Sequence, residues 1–250
     1  MRQSFSAVRI LFISNSFKCA PAGRKNLVNS FSHKGSQPPV KATRLFKSLL
    51  AFSGVLLVAA LMSGFAWWQR SPVNLVDAGT QARAELLQQW AAGEVVVLVR
   101  HVERCDRSTN PCLGPPDGIT RLGSETAKAV GQGLQGMGMT QADVLSSPLT
   151  RTMQTAHYMF GKDAQAQDWL ATCGKTLRND VVAHKRAGHN LILVTHSGCI
   201  ADFEAQTGFK HAATSEYGSS LFVHIAKDGQ LQVVGIIKAQ DWHSLSDQKS

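Results

Sequence analysis

Three short apolar runs constrain this chain most: EVVVLVR over residues 94–100, ADVLS over 142–146 and NLILVT over 190–195. Each is too short for a helix, and the first and third are rich in β-branched residues. Neither alternates between apolar and polar. That is the pattern of strands covered on both faces, as in a parallel sheet. Helical periodicity fills the intervals, over residues 120–136, 149–160 and 177–187, and a further helix is expected from Thr195 to about Thr207. Residues 71–93 read as a linker and then a helix, with Asp77 or Thr80 as cap, Ala82, Leu86, Leu87 and Trp90 on one face, and Gly93 as the stop. The chain closes with two alternating strands, 220–226 and 230–237, across the turn Lys227-Asp228-Gly229. The fold class predicted is α/β: three layers, a mostly parallel sheet with helices on both faces, and an antiparallel edge hairpin. With 44% hydrophobic and 17% charged residues, the 250-residue chain is too apolar for a disordered one. No internal repeat is visible.

The formal charge of +9 is unevenly placed. Residues 1–47 carry nine Lys or Arg and no acid, which leaves seventeen charges of each sign in the rest. The remainder therefore lacks the basic field that nucleic-acid binding requires, and no nucleic-acid partner is expected. From Ser48 to Gln69 no residue is charged. Twenty-two residues at about 1.5 Å each span roughly 33 Å, enough to cross a bilayer's hydrocarbon. Lys41, Arg44 and Lys47 precede the run, and Trp67-Trp68 stands where an interfacial anchor belongs, so the charge bias sends the following domain outward. Gly64-Phe65-Ala66 is also a tolerable cleavage site, so a signal segment removed on export competes with a retained transmembrane anchor. Residues 1–47 read as a basic leader: a disordered cytoplasmic tail, an organellar transit peptide, or the product of an early start codon. The expected organisation is leader 1–47, anchor or signal 48–69, linker and helix 70–93, and domain 94–250.

Cysteine usage agrees with export. Cys19 lies in the leader, while Cys105, Cys112, Cys173 and Cys199 form an even set that an oxidising compartment would pair. A Cys105–Cys112 bridge would close a small loop around Asn110-Pro111, leaving Cys173 with Cys199; four buried thiols are the alternative. No Cys-x-x-Cys or spaced Cys/His set points to a metal, and no cofactor is expected.

Open α/β sheets bind ligands beyond the carboxyl ends of their strands. The first strand runs into Arg100-His101-Val102-Glu103-Arg104, the second into Ser147-Pro148-Leu149-Thr150-Arg151, and the third into His196-Ser197-Gly198. Two imidazoles and three guanidiniums thus converge on one rim. Guanidinium forks match phosphate oxygens in pairs and stay charged at any working pH. A neutral imidazole is a competent nucleophile toward phosphorus. Ser197 and Gly198, opening a helix, offer backbone N–H groups to an anion. Singly, each of these residues is commonplace; their joint placement after three strands is not. His157, His184, His189, His211, His224 and His243 have no such support and read as structural or exposed.

The strings LVRHVER, SSPLTRTMQTA and LVTHSG resemble those of the histidine phosphatase (phosphoglycerate mutase-like) superfamily, over about residues 94–237. The resemblance implies a transiently phosphorylated His101, with Arg100, Arg104 and Arg151 on the phosphoryl oxygens and His196 opposite the nucleophile. The longer string RHVERCDRSTNPCL, with Cys173-Gly174 and Cys199, resembles the narrower family of lipopolysaccharide core heptose(II)-phosphate phosphatases, exported enzymes of Gram-negative bacteria. The implied activity is a metal-independent phosphomonoester hydrolase acting on a phosphorylated glycan or lipid-linked sugar. It would be anchored in the inner membrane with its domain in the periplasm, or periplasmic after cleavage.

Two departures from the superfamily pattern stand out. Val102 replaces the usual Gly, and no carboxylate follows Leu170, which leaves Glu103, Asp168, Asp180 or His196 itself as proton donor. Only 44 residues separate Arg151 from His196, too few for a large cap. An open site suits a bulky phosphate ester and argues against a mutase. A phosphohistidine or phosphoprotein phosphatase, a non-catalytic binder of phosphorylated glycan and a membrane-tethered structural protein are the competing readings.

Overall fold

The computed structural model describes residues 42–68 and 71–243. Most of the basic leader, Cys19 and the side chains of Trp67-Trp68 lie outside what is described. Helix α1 (Ala42–Trp68) contains the stretch Phe46–Phe65, whose mean hydropathy of 2.1 and 20-residue length suffice to cross a membrane on those grounds alone.

The α/β part begins with α2 (Gly79–Ala91) and β1 (Val95–Arg100), followed by α3 (Arg121–Met137), β2 (Ala142–Ser146) and α4 (Thr150–Phe160). Next come β3 (Gln165–Ala166), α5 (Trp169–Thr172), α6 (Leu177–His184), β4 (Asn190–Thr195) and α7 (Ser197–Gln206). The antiparallel pair β5 (Ser220–Ile225) and β6 (Leu231–Ile237) completes the sheet. Strand order is β3-β2-β4-β1-β5-β6, parallel from β3 to β1. The expected hairpin thus forms one side of the sheet, with β5 pairing antiparallel to β1.

Alternate residues of the central strands feed two cores. Val95, Val97 and Val99 face Trp90, Val130, Leu134 and Met159 of α2, α3 and α4. Val96, Leu98, Leu191 and Leu193 face Leu170, Leu177, Val181, Ile200 and Phe203 of α5, α6 and α7. Burial of apolar area on both sides is the main stabilising term and explains why these strands lack polar alternation. Helices α3 and α4 approach closely at Gly131, where an added Cβ would collide with the Met159 carbonyl. That contact fixes the helix carrying Arg151.

Some local expectations need correction. Neither Asp77 nor Thr80 caps α2; Ala78 holds the cap position with no side-chain bond. Gly93 ends the helix as expected, at φ +69°. Strand β2 is only half-buried over most of its length, because its outer neighbour β3 pairs with just Leu145 and Ser146. Helix α6 stops at His184, three residues short of the expected end. The cysteines pair as Cys105–Cys112 and Cys173–Cys199, with Cα separations of 5.2 and 5.3 Å. Cys173 adopts φ +48°, the only non-glycine positive φ among the described residues.

Candidate active site

Strand order assembles the site. β2, β4 and β1 lie side by side, with Ser146 opposite Val194 and Thr195 opposite Arg100. The residues just beyond these tips, Ser147, His196 and His101, are therefore neighbours although far apart in sequence. Backbone bonds extend the register one step: Ser147 N–H donates to Val194 O and His101 N–H to Thr195 O, both at 2.9 Å. Arg151 comes in from the first turn of α4.

The two imidazole rings meet edge-on, with centroids 5.4 Å apart. His101 is 3% exposed. Its Nδ1 lies 2.8 Å from the Val102 carbonyl, which can only accept, so the proton sits on Nδ1 and the Nε2 lone pair is free. His196 has Nδ1 3.4 Å from Arg151 Nη2 and Nε2 2.9 Å from Ser147 Oγ. Arginine can only donate, so Nδ1 accepts and Nε2–H donates to Ser147.

Both rings are held neutral. Burial, the largest cause, pushes His101 down to about 3; repulsion from His196, Arg151 and Arg100 adds to it, and the Val102 bond opposes it. His196 falls to about 4 through burial and then Arg151, Arg104 and Arg100. Arg100 and Arg151 are themselves lowered chiefly by burial, and each has a buried Nε without a partner. Two desolvated guanidiniums with spare donors beside two neutral imidazoles suit an anion. His196 is also the N-cap of α7, with no side-chain cap bond, so the helix's first N–H groups at Ser197 and Gly198 face the same end of the sheet.

The remaining expected residues carry further partners. Arg104 is tied through Nε and Nη2 to both oxygens of Asp106, at 2.8 and 2.5 Å. Glu103 is held by three donors. Its carboxylate accepts from Thr120 Oγ1 (2.6 Å), Ser108 Oγ (3.0 Å) and Asn110 Nδ2 (3.0 Å), and the Thr120 bond above all holds it below its ordinary pKa. It braces the Cys105–Cys112 loop against the start of α3, whose cap is Thr120. Asp168 is exposed ahead of α5 and Asp180 lies in α6, with no bond from either carboxylate to the pocket side chains among the described residues. The departure at Val102 is harmless: the side chain is fully buried in the core and its φ is not positive.

Two pocket residues were not singled out from sequence. Ser147 stands directly after β2, where the strand-end rule could have found it. Tyr217 lies in the loop between α7 and β5, with the Arg100 guanidinium 4.0 Å above its ring and the His101 ring at 5.6 Å. Nothing in that loop's sequence signals the role. Other histidines have partners elsewhere: His157 with Asp163, His184 stacked on Trp169, His189 with Arg186, and His224 with Glu94.

A mostly parallel α/β sheet with this histidine and arginine set at its carboxyl rim suits a protein that binds and transfers phosphoryl groups. Residues 96–171 match the model of the histidine phosphatase superfamily (branch 1). The chain is 32% identical over 194 residues to the lipopolysaccharide core heptose(II)-phosphate phosphatase of Escherichia coli O139:H28, covering 75% of this chain and 90% of that protein. The same figures hold for the protein of that name from Shigella sonnei. The chain therefore belongs to the histidine phosphatase superfamily. Among solved structures it is similar to the protein histidine phosphatase SixA complexed with tungstate, at 16% identity and TM-score 0.49 over 59% of this chain and 98% of that one. It is also similar to the phosphoglycerate mutase of Bacillus anthracis, at 17% identity and TM-score 0.44 over 62% and 98%.

Proposed function

We propose that the protein hydrolyses a phosphomonoester on heptose of the lipopolysaccharide core, through a phosphohistidine at His101. The observation that carries the chemistry is the free Nε2 of a buried, neutral His101 beside Arg100, Arg151 and His196. Its lone pair attacks phosphorus as the ester P–O bond breaks. The guanidiniums of Arg100 and Arg151 hold the non-bridging oxygens and stabilise the charge that develops on them. The negative charge of the bound ester offsets the arginines' repulsion and lets His196 take a proton from the monoanionic ester. The resulting imidazolium, oriented by Ser147, gives that proton to the leaving oxygen and returns to neutral, a role left to it by the commitment of Glu103 to the loop. Water then attacks phosphorus as the P–N bond breaks, neutral His196 takes the water's proton, and phosphate leaves with His101 restored. These residues supply nucleophile, charge and proton, so no metal is needed in the sequence of steps.

The substrate class rests on the named relatives from E. coli and Shigella, which the chain matches over nine-tenths of their length. A location facing the periplasm, with residues 48–69 as anchor or export signal and residues 94–250 as the catalytic domain, is consistent with that substrate. The uncharged helix and the two disulfides support it. The test has two parts. His101→Ala should abolish turnover of an aryl phosphate, and retained turnover would reject the nucleophile. Core oligosaccharide from cells lacking the protein should carry more heptose phosphate than wild type, and an unchanged phosphate content would reject the substrate.

A further inference from the structure

Arg100 and Arg104 lie four residues apart and are held in opposite ways. Arg104 has its Nε–Nη2 edge filled by a carboxylate, that of Asp106. Arg100 meets no carboxylate among the described residues. The loop before β5 surrounds it instead. Its backbone N–H donates to Ser219 O at 2.9 Å, and its carbonyl accepts from Gly218 N–H at 3.2 Å. One terminal nitrogen, Nη1, donates to Ser215 O, and the guanidinium carbon sits 4.0 Å from the Tyr217 ring centroid. The Arg100 Nε remains buried and unpartnered.

That difference has a chemical consequence. A half-buried cation needs compensation, and a carboxylate supplies it by consuming the donors a phosphate would use. An aromatic face attracts the cation through its quadrupole, and the Tyr217 hydroxyl, which also bonds to the guanidinium, takes less of its donor set than a bidentate carboxylate would. The same ring touches the nucleophile's imidazole at 5.6 Å, so it limits the freedom of both groups. We propose that Tyr217 is a positioning residue for phosphoryl binding: its ring carries the Arg100 guanidinium and keeps it free of a carboxylate, so that it serves the phosphoryl group beside His101. Tyr217 lies outside residues 96–171, the segment that the superfamily model matches. The inference rests on the reading of Arg100 as a phosphoryl ligand, and the experiment separates the two.

The probe is inorganic orthophosphate as a competitive inhibitor of aryl phosphate hydrolysis, with direct binding of orthophosphate measured by calorimetry, on the full-length protein. Tyr217→Leu removes the ring and should weaken orthophosphate about tenfold, the scale of a partly desolvated cation–π contact. Tyr217→Phe keeps the ring and should restore most of that affinity. In an Arg100→Ala background, Tyr217→Leu should cost nothing further, a non-additivity that a general packing defect would not show. Should Tyr217→Leu not fold, Tyr217→Gln carries the same expectation. Unchanged affinity in Tyr217→Leu, failure of Phe to rescue it, or a loss that adds to that of Arg100→Ala would overturn the proposal. If Arg100→Ala itself leaves orthophosphate binding unchanged, the reading of Arg100 falls, and the role of Tyr217 with it.

Discussion

Acidifying the protein distinguishes a nucleophile kept neutral by burial from an ordinary histidine. In the fold His101 titrates at about 3, mainly because burial penalises the imidazolium. In the unfolded chain a histidine titrates near 6.5. The folded value is the depressed one, so the unfolded chain takes up the proton first as pH falls. The stability conferred by a neutral His101 is complete above about pH 6.5 and is lost as pH drops toward about 3. At pH 5 an unfolded histidine is almost fully protonated and the folded one is not, which gives a difference of roughly 2 kcal/mol. Urea unfolding of the full-length protein at pH 7.5 and pH 5, for wild type and His101→Asn, reads this directly. Asparagine keeps a polar side chain there but cannot titrate. Wild type should lose about 2 kcal/mol more than the variant between the two pH values. His196 contributes to both proteins alike, and its greater exposure to solvent reduces its share. Equal losses in the two proteins would refute the claim that burial holds His101 neutral.

Arg151→Ala should lower kcat by about 10²–10³ on an aryl phosphate, the cost of removing a donor aimed at developing charge, and a change under tenfold would contradict that role. Ser147→Ala removes the bond that orients the His196 ring; kcat should fall about tenfold with KM little changed, on the scale of one lost hydrogen bond to a reacting group, as steady-state kinetics would show. Replacing both Cys105 and Cys112 by Ser should cost about 2–3 kcal/mol in urea unfolding for so short a loop, and should raise KM by loosening the segment that carries Arg104 and Asp106. Turnover should survive EDTA, measured with and without added divalent metal; a loss that zinc restores would mean that a metal supplies charge assigned here to the arginines.

What could be read from sequence follows from where the physics is local. VVVLV and NLILVT announce strands covered on both sides because no polar residue interrupts them, and the strand-end rule then places His101 and His196 on one rim. That rule needs only the strand boundaries, and β1 and β4 end within one residue of expectation. The order β2-β4-β1, which makes Ser147 touch His196, depends on a crossover that no single segment encodes. The bonds of Glu103 cannot be read from sequence, because its partners Thr120, Ser108 and Asn110 come together only in the folded loop. The pairing of Arg104 with Asp106 is equally invisible, because a two-residue spacing carries no helical or strand signal. Tyr217 was missed because its loop has neither periodicity nor a motif, and its contacts arise only when β5 pairs beside β1.

The phosphoenzyme is the most direct measure of the mechanism. The full-length protein, mixed with an aryl phosphate and quenched in alkali within a turnover, should yield a peptide that carries one acid-labile phosphate on His101 by mass spectrometry. His101→Ala should yield none, and His196→Ala should still form the adduct, more slowly. A phosphate found on His196, or full turnover with no phosphopeptide at the earliest times, would contradict the assignment of His101 as nucleophile.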